Sequence, residues 1–164
     1  MAGWWAGRVR QFDRHLRGRV TAAERRELTG WLTSAQLDLF AAMHPADQRH
    51  GLDVVGSLRR GGHADPDLLL AGLFHDAGKG RSVGLWHRVG WSLADRYGGV
   101  VASVARRMPG FSRAFDRLDR HPDTSALLAL EAGCSERTAR LIRGQAVGTA
   151  DDLSGALRLA DEAN

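Results

Sequence analysis

Several residue types are nearly absent from this chain, and each absence excludes a class of protein. Cys134 is the only cysteine among 164 residues, so no disulfide can form within the chain and a reducing compartment is expected. The longest apolar run, Leu68–Phe74, is far shorter than the ~20 residues that span a bilayer. Residues 1–8 lack the apolar core of a secretory signal. The sequence therefore predicts a cytoplasmic protein without a membrane partner.

Lysine is equally scarce, because Lys79 is the only lysine among 23 basic residues and all the others are arginine. The net charge is only +4, so this composition favours polyanionic or phosphorylated partners weakly, and an arginine-rich proteome explains it more simply. With 43% hydrophobic and 26% charged residues, the chain has the composition of a soluble globular protein. Its length suits one domain with a real core and is too short for two ordinary domains.

Strand-like alternation is also missing, whereas a helical period of apolar residues runs through almost the whole chain. Thr21 with Glu24 forms a capping-box pattern, and prolines and glycines mark further helix ends. Helices are predicted over 4–16, from Thr21, over 34–43, from Pro45, over 66–76, 83–97, 100–107, 122–132 and 135–143, and from Asp151 to the end. We therefore predict an all-α fold in one structural domain, in which N-terminal helices of residues 1–44 pack on a core formed by residues 45–164.

Two of these helices bring possible metal ligands level with each other. The turn near His63 joins a helix that contains His50 to a helix that ends at His75-Asp76. His50 precedes that turn by 13 residues, and His75 and Asp76 follow it by 12 and 13. In an antiparallel hairpin these separations place all three side chains ~18–20 Å from the turn, at about 1.5 Å per residue. Two imidazoles and one carboxylate are suitable ligands for a divalent transition metal.

A fourth ligand is expected from a distant helix. Asp161 lies on the last apolar-periodic segment and is the best candidate, although Asp151 and Asp152 also occur late in the chain. The sequence therefore predicts a site of two histidines and two aspartates that leaves coordination positions open for water or substrate.

With Asp161 included, the ligand set His50, His75-Asp76 and Asp161 resembles the His…His-Asp…Asp signature of the HD superfamily of metal-dependent phosphohydrolases. The resemblance extends from about residue 45 to residue 164 and is most specific in His-Asp-Ala-Gly-Lys, at residues 75–79. It implies an HD-type helical bundle that hydrolyses a small phosphorylated compound, with a nucleotide as the expected substrate. It also implies a divalent metal ion, and two His and two Asp ligands leave the choice open among Mn, Fe, Co, Ni, Zn and Mg.

His121-Pro122 is similar to the His-Pro-x-x-Gly-Ala element of the HD-GYP branch, which hydrolyses cyclic dinucleotides. However, Ser125 stands where that branch has glycine, and Gly144-Gln145 stands where it has a histidine pair. The Gly-Tyr-Pro element is missing too, since the only tyrosine is Tyr97. These departures argue against a binuclear cyclic-dinucleotide phosphodiesterase and favour a single metal ion.

The resemblance also implies roles for residues around the metal. Asp76 would hold the ion that activates water, and Lys79 would neutralise charge on the phosphate. His121 would contact the phosphate or protonate the leaving group, and His87 is a further candidate for lining the pocket. Two simpler readings stay open, in which Lys79 interacts with carbonyls at its helix's C-terminal end and His121 is only part of a helix start.

Two other kinds of function remain as alternatives. Residues 128–143 resemble a helix-turn-helix, with Ala129 and Gly133 at the spacing of its tight turn, and such a motif would direct Arg137, Arg140 and Arg143 at DNA. Glycine is also common after the end of a helix and serine at the N-cap of the next, as at Gly133 and Ser135. A structural role is therefore favoured, and a nucleic-acid partner is not expected. The second alternative is a non-catalytic HD module that senses a nucleotide or binds a partner. Oligomeric state and the choice between phosphomonoester and phosphodiester stay open.

Overall fold

The structure, a computed structural model, describes residues 19–80, 103, 107, 111–147 and 152–164. Within these ranges the chain forms seven α-helices and one 3-10 turn and no strand. In chain order the elements are α1 Ala22–Leu28, α2 Ser34–Ala42, α3 Pro45–Arg60, α4 Pro66–Phe74, the 3-10 turn Ala77–Lys79, α5 Phe111–Glu131, α6 Glu136–Val147 and α7 Asp152–Glu162. The all-α prediction is confirmed. The helices predicted over 4–16 and 83–97, and nearly all of 100–107, lie outside the described residues.

All seven helices contribute to one hydrophobic core, which confirms the single-domain prediction. Its buried members include Leu28 from α1, Phe40 from α2, Leu58 from α3, Leu73 from α4, Ala129 from α5, Ile142 from α6 and Leu157 from α7. Helices from residues 19–44 and from residues 45–164 therefore share one apolar interior. None of the described helices combines the length and apolarity that crossing a bilayer requires.

Side-chain caps begin the helices where the sequence indicates. The hydroxyl of Thr21 accepts from the N–H of Glu24, whose carboxylate accepts from the Thr21 N–H, so the predicted capping box is present. Thr33 caps α2 in the same way. Asp65 accepts from two N–H groups in the first turn of α4, directly before Pro66.

Helix α4 ends slightly earlier than predicted. Instead of running to Asp76, it ends at Phe74, and His75 is its C-terminal cap. The chain then tightens into the 3-10 turn and leaves it at Gly80, whose φ of 69° favours glycine. His75 and Asp76 therefore lie at the junction of a helix and a tight turn.

The prediction that a helix begins at Pro122 was wrong. Pro122 lies inside α5, a continuous helix of 21 residues. Proline lacks the N–H that would bond the carbonyl four residues earlier, which belongs to Leu118. The Nδ1 atom of His121 donates to that carbonyl instead, so the oxygen keeps a hydrogen-bond partner within the helix.

Helices α3 and α4 approach each other closely at two glycines. A Cβ atom on Gly51 would lie 2.5 Å from the carbonyl oxygen of Leu73. On the facing helix, a Cβ atom on Gly72 would lie 2.9 Å from Cδ1 of Leu58. This contact sets the distance between His50, the neighbour of Gly51, and the His75-Asp76 pair.

Candidate metal centre

The four predicted metal ligands meet at one place in the fold. His50, His75 and Asp76 are all buried, and each offers a ligand atom within 4.8 Å of the others. The Oδ1 atom of Asp161 lies 2.6 Å from Nε2 of His50 and 3.3 Å from Nε2 of His75. Asp161 therefore lies at this group as predicted, whereas Asp151 and the side chain of Asp152 lie outside the described residues.

Three separate elements hold these side chains. His50 lies in α3, and the Gly51 contact with Leu73 brings it against the end of α4. Asp161 comes from α7, whose end is tied to α3 by a 2.7 Å hydrogen bond from Asn164 Nδ2 to Ser57 Oγ. The group therefore depends on tertiary packing and forms only when α3, α4 and α7 assemble.

His75 is oriented as metal-binding histidines are. Its Nδ1 donates to the carbonyl of Gly72 at 3.0 Å, so in the neutral ring Nε2 carries the lone pair. That Nε2 atom is buried and makes no well-aligned hydrogen bond, although Asp161 Oδ1 lies 3.3 Å away as an ion-pair partner. Buried polar atoms are rarely left unpaired, and a cation between His50, His75 and the two carboxylates would satisfy this one. The residues present therefore fit a divalent ion.

The charges around the site keep both carboxylates ionised. Burial alone would raise the pKa of Asp76, but Lys79 and then His75 and His50 hold it well below its usual range. Burial would also raise the pKa of Asp161, and its interactions with His50 and His75 lower it instead. Two anionic oxygen ligands are therefore present at neutral pH.

His75 responds to the same charges in the opposite direction. Burial alone would lower its pKa, but the carboxylates of Asp76 and Asp161 raise it to about 9. The metal-free site therefore holds a proton on His75 at neutral pH, which balances part of the negative charge.

Metal binding should release that proton, which makes affinity depend on pH. Because His75 is protonated below its pKa of about 9 and a ligand must be neutral, we expect up to about one proton released per ion at neutral pH. Affinity should then rise up to about tenfold per pH unit and level off above about pH 9. Calorimetry in buffers of different ionisation enthalpy measures both quantities. An affinity that does not change between about pH 6 and 8 would contradict this assignment.

Lys79 and His121, the predicted phosphate-binding residues, both border Asp76. The Nζ atom of Lys79 lies 2.6 Å from Asp76 Oδ2, and Nε2 of His121 lies 3.6 Å from Asp76 Oδ1. Both side chains are about one-fifth exposed, at 22% and 21%, so they lie between the buried Asp76 and solvent. Burial lowers the pKa of His121 more than the Asp76 carboxylate raises it. His87 lies outside the described residues.

Ser125 has a role that the sequence did not indicate. The N–H of Gly78 donates to Ser125 Oγ at 2.8 Å, and the Ser125 side chain is fully buried. A Cβ atom on Gly78 would lie 2.5 Å from the carbonyl oxygen of His121. The turn that carries Lys79 therefore packs directly on α5, which brings Lys79 and His121 to the same side of Asp76.

Two of the three arginines of the possible helix-turn-helix, Arg137 and Arg143, have partners within the chain, and Arg140 is exposed. Arg137 forms ion pairs with Asp65 and Asp67 at 2.8 and 3.3 Å, and Arg143 lies 3.4 Å from Asp123. Asp67 also accepts hydrogen bonds from the hydroxyls of Ser135 and Thr138. These contacts fasten the start of α6 to the start of α4, as expected of a structural helix pair.

No protein-family model, curated protein or solved structure matches the chain. The HD resemblance therefore stays a prediction, and the case for function depends on the site itself.

Proposed function

We propose that this protein is a metal-dependent phosphohydrolase that acts on a small phosphorylated compound, with a nucleotide as the expected substrate. The observation that carries the proposal is the group of His50, His75, Asp76 and Asp161, in which the two histidines and Asp76 are buried and Nε2 of His75 faces Asp161 Oδ1 at 3.3 Å without a well-aligned hydrogen bond. Lys79 and His121 add a cation and an imidazole beside Asp76.

The four ligands would hold one divalent ion and leave further positions open. Such an ion lowers the pKa of bound water and polarises a phosphoryl oxygen, which is the chemistry that phosphoester hydrolysis needs. Two imidazoles and two carboxylates suit Mn, Fe, Co, Ni and Zn and also accept Mg, so the choice of metal stays open.

Lys79 is placed to exchange one anionic partner for another. In this structure its ammonium pairs with Oδ2 of Asp76. A phosphate on the exposed side of Asp76 would offer a second anion within reach of the same flexible side chain. Lys79 would then neutralise charge that develops on the phosphate in the transition state.

His121 has its proton on the side away from Asp76. Because Nδ1 donates to the Leu118 carbonyl, Nε2 of the neutral ring accepts hydrogen bonds. His121 is therefore suited to accept a hydrogen bond from a water or a protonated phosphate oxygen, and it must take up a proton before it can protonate a leaving group.

A substrate screen tests the proposal. We expect wild-type protein loaded with Mn, Co, Ni or Zn to hydrolyse at least one member of a panel of nucleotides and other phosphomonoesters and phosphodiesters. His75→Ala should lack both metal and turnover while keeping its helical circular dichroism. Metal-loaded wild-type protein that binds a nucleotide without hydrolysing anything on the panel would favour the non-catalytic nucleotide-sensing module.

Lys79→Ala should separate catalysis from metal binding. Because Lys79 contacts Asp76 and is not itself a ligand, we expect metal content close to wild type and a fall in kcat/KM of about 10²- to 10³-fold. Elemental analysis and steady-state kinetics on the same preparation measure the two effects. Lys79→Arg keeps the charge and should recover part of the activity. If Lys79→Ala keeps the wild-type kcat/KM, Lys79 has no part in catalysis and serves only as an ion-pair partner of Asp76.

A further inference from the structure

A proline next to His121 leaves one backbone carbonyl of α5 without its usual partner. In an α-helix the N–H of residue 122 would bond the carbonyl of Leu118. Pro122 has no N–H, and its ring pushes that carbonyl away from the helix ladder. Nδ1 of His121 donates to the same carbonyl. The carbonyl oxygen that loses its backbone partner because of the proline is therefore the same oxygen that accepts the hydrogen bond from His121.

This anchor determines which nitrogen of His121 faces the metal centre. With Nδ1 donating to a carbonyl, the proton stays on Nδ1 and Nε2 keeps its lone pair. Nε2 lies 3.6 Å from Oδ1 of Asp76, on the exposed side of the buried ligands. A ring without the anchor could turn about its side-chain bonds and present either nitrogen.

A carbonyl oxygen inside α5 can also accept a hydrogen bond from a side chain where no proline lies four residues later. Thr124 Oγ1 donates to the carbonyl of Arg120 at 3.1 Å, and residue 124 has an N–H that can bond the same oxygen. A hydroxyl tolerates this sharing because it sits close to the backbone and rotates freely. The imidazole of His121 is rigid, and a carbonyl that the N–H of the fourth following residue cannot reach suits it better.

We propose that Pro122 is a positioning residue, which reserves the Leu118 carbonyl for His121 and so fixes the ring of His121 beside Asp76. The inference deepens the proposed function and rests on it for the part that His121 plays in turnover. The orientation of the ring itself can be tested without any activity.

The test is nuclear magnetic resonance of the histidine ring nitrogens in metal-free protein. Wild type should show a ring N–H signal from Nδ1 of His121, protected from exchange with water and assigned by its loss in His121→Gln. Pro122→Ala and Pro122→Gly both restore the backbone N–H and should lose this signal. Leu127→Ala replaces an exposed side chain on the same helix without changing charge, and it should keep the signal.

Both proline variants should fold, because alanine and glycine are each better tolerated inside a helix than proline. A protected Nδ1–H signal that persists in both folded variants would overturn the proposal. For turnover, the probe is bis(p-nitrophenyl) phosphate with Mn²⁺. We expect kcat of the proline variants to fall towards that of His121→Ala while metal content stays at the wild-type level. If wild type hydrolyses nothing, the proposed function fails, whereas the ring signal still decides the role of Pro122.

Discussion

Asp76→Ala should reduce affinity for divalent ions by more than about 100-fold and abolish hydrolysis. Removing only a hydrogen-bond partner of a metal ligand costs about 10- to 100-fold, so removing a ligand should cost more. The pKa of Asp76 is held well below its usual range, which keeps this proposed ligand ionised at neutral pH. Titration calorimetry with Mn²⁺ and Zn²⁺ measures the affinity, and circular dichroism verifies the fold.

Two variants separate the loss of a ligand from a general effect of mutation. Asp76→Asn keeps the volume of the side chain and should lose affinity as well, since it removes the charge. Asp38→Ala removes an exposed carboxylate from α2 and should bind metal as wild type does. A metal that binds only the folded protein also stabilises it, by about 2.7 kcal/mol when its concentration is 100 times Kd. Added metal should therefore raise the Tm of wild type but not the Tm of Asp76→Ala or Asp76→Asn. Equal affinity in wild type and Asp76→Ala would remove Asp76 from the site.

Gly51→Ala should destabilise the protein and weaken metal binding together. The added Cβ would lie 2.5 Å from the carbonyl oxygen of Leu73, which is backbone and cannot swing aside. Helices α3 and α4 must therefore move apart beside His50 and His75. Overpacking of this kind costs about 1–3 kcal/mol, which corresponds to a fall in Tm of roughly 2–10 °C for a chain of this size. Thermal unfolding and calorimetric metal titration measure the two effects.

Gly56→Ala on the same helix is the matched control. There a new Cβ would meet only the end of the Arg60 side chain, at 3.3 Å, and this flexible group can move. Alanine is the better helix former, so this variant should be unchanged or more stable by about 0.4–1 kcal/mol. If Gly51→Ala behaves like Gly56→Ala, the close contact between α3 and α4 does not set the spacing of the ligands.

Helix starts were predictable because their signals are local. The Thr21–Glu24 capping box and the proline starts of α3 and α4 depend on residues within one helical turn of each other. Pro122 failed as a helix start for the same reason. Its local signal is that of a first turn, whereas the helix continues through it and His121 bonds the Leu118 carbonyl that the proline cannot reach.

The position of the metal ligands could be predicted in part. Counting residues from the turn near His63 placed His50 level with His75-Asp76, because an α-helix has a fixed rise per residue. The choice of Asp161 came from its place on a late helix and from the family resemblance, and in the structure it contacts both histidines. The bond from Gly78 to Ser125 could not be predicted, since it joins residues 47 apart and requires knowledge of how the turn packs on α5.

The central claim is that His50 and His75 bind a divalent ion together with two carboxylates. X-ray absorption spectroscopy of wild type loaded with Zn or Ni counts the imidazoles bound to the metal through their characteristic scattering. We predict at least two imidazoles per ion with oxygen as the remaining donor, and a signal from fewer imidazoles in His75→Ala. An ion held by fewer than two imidazoles in wild type, or failure of the protein to retain any ion, would contradict the account.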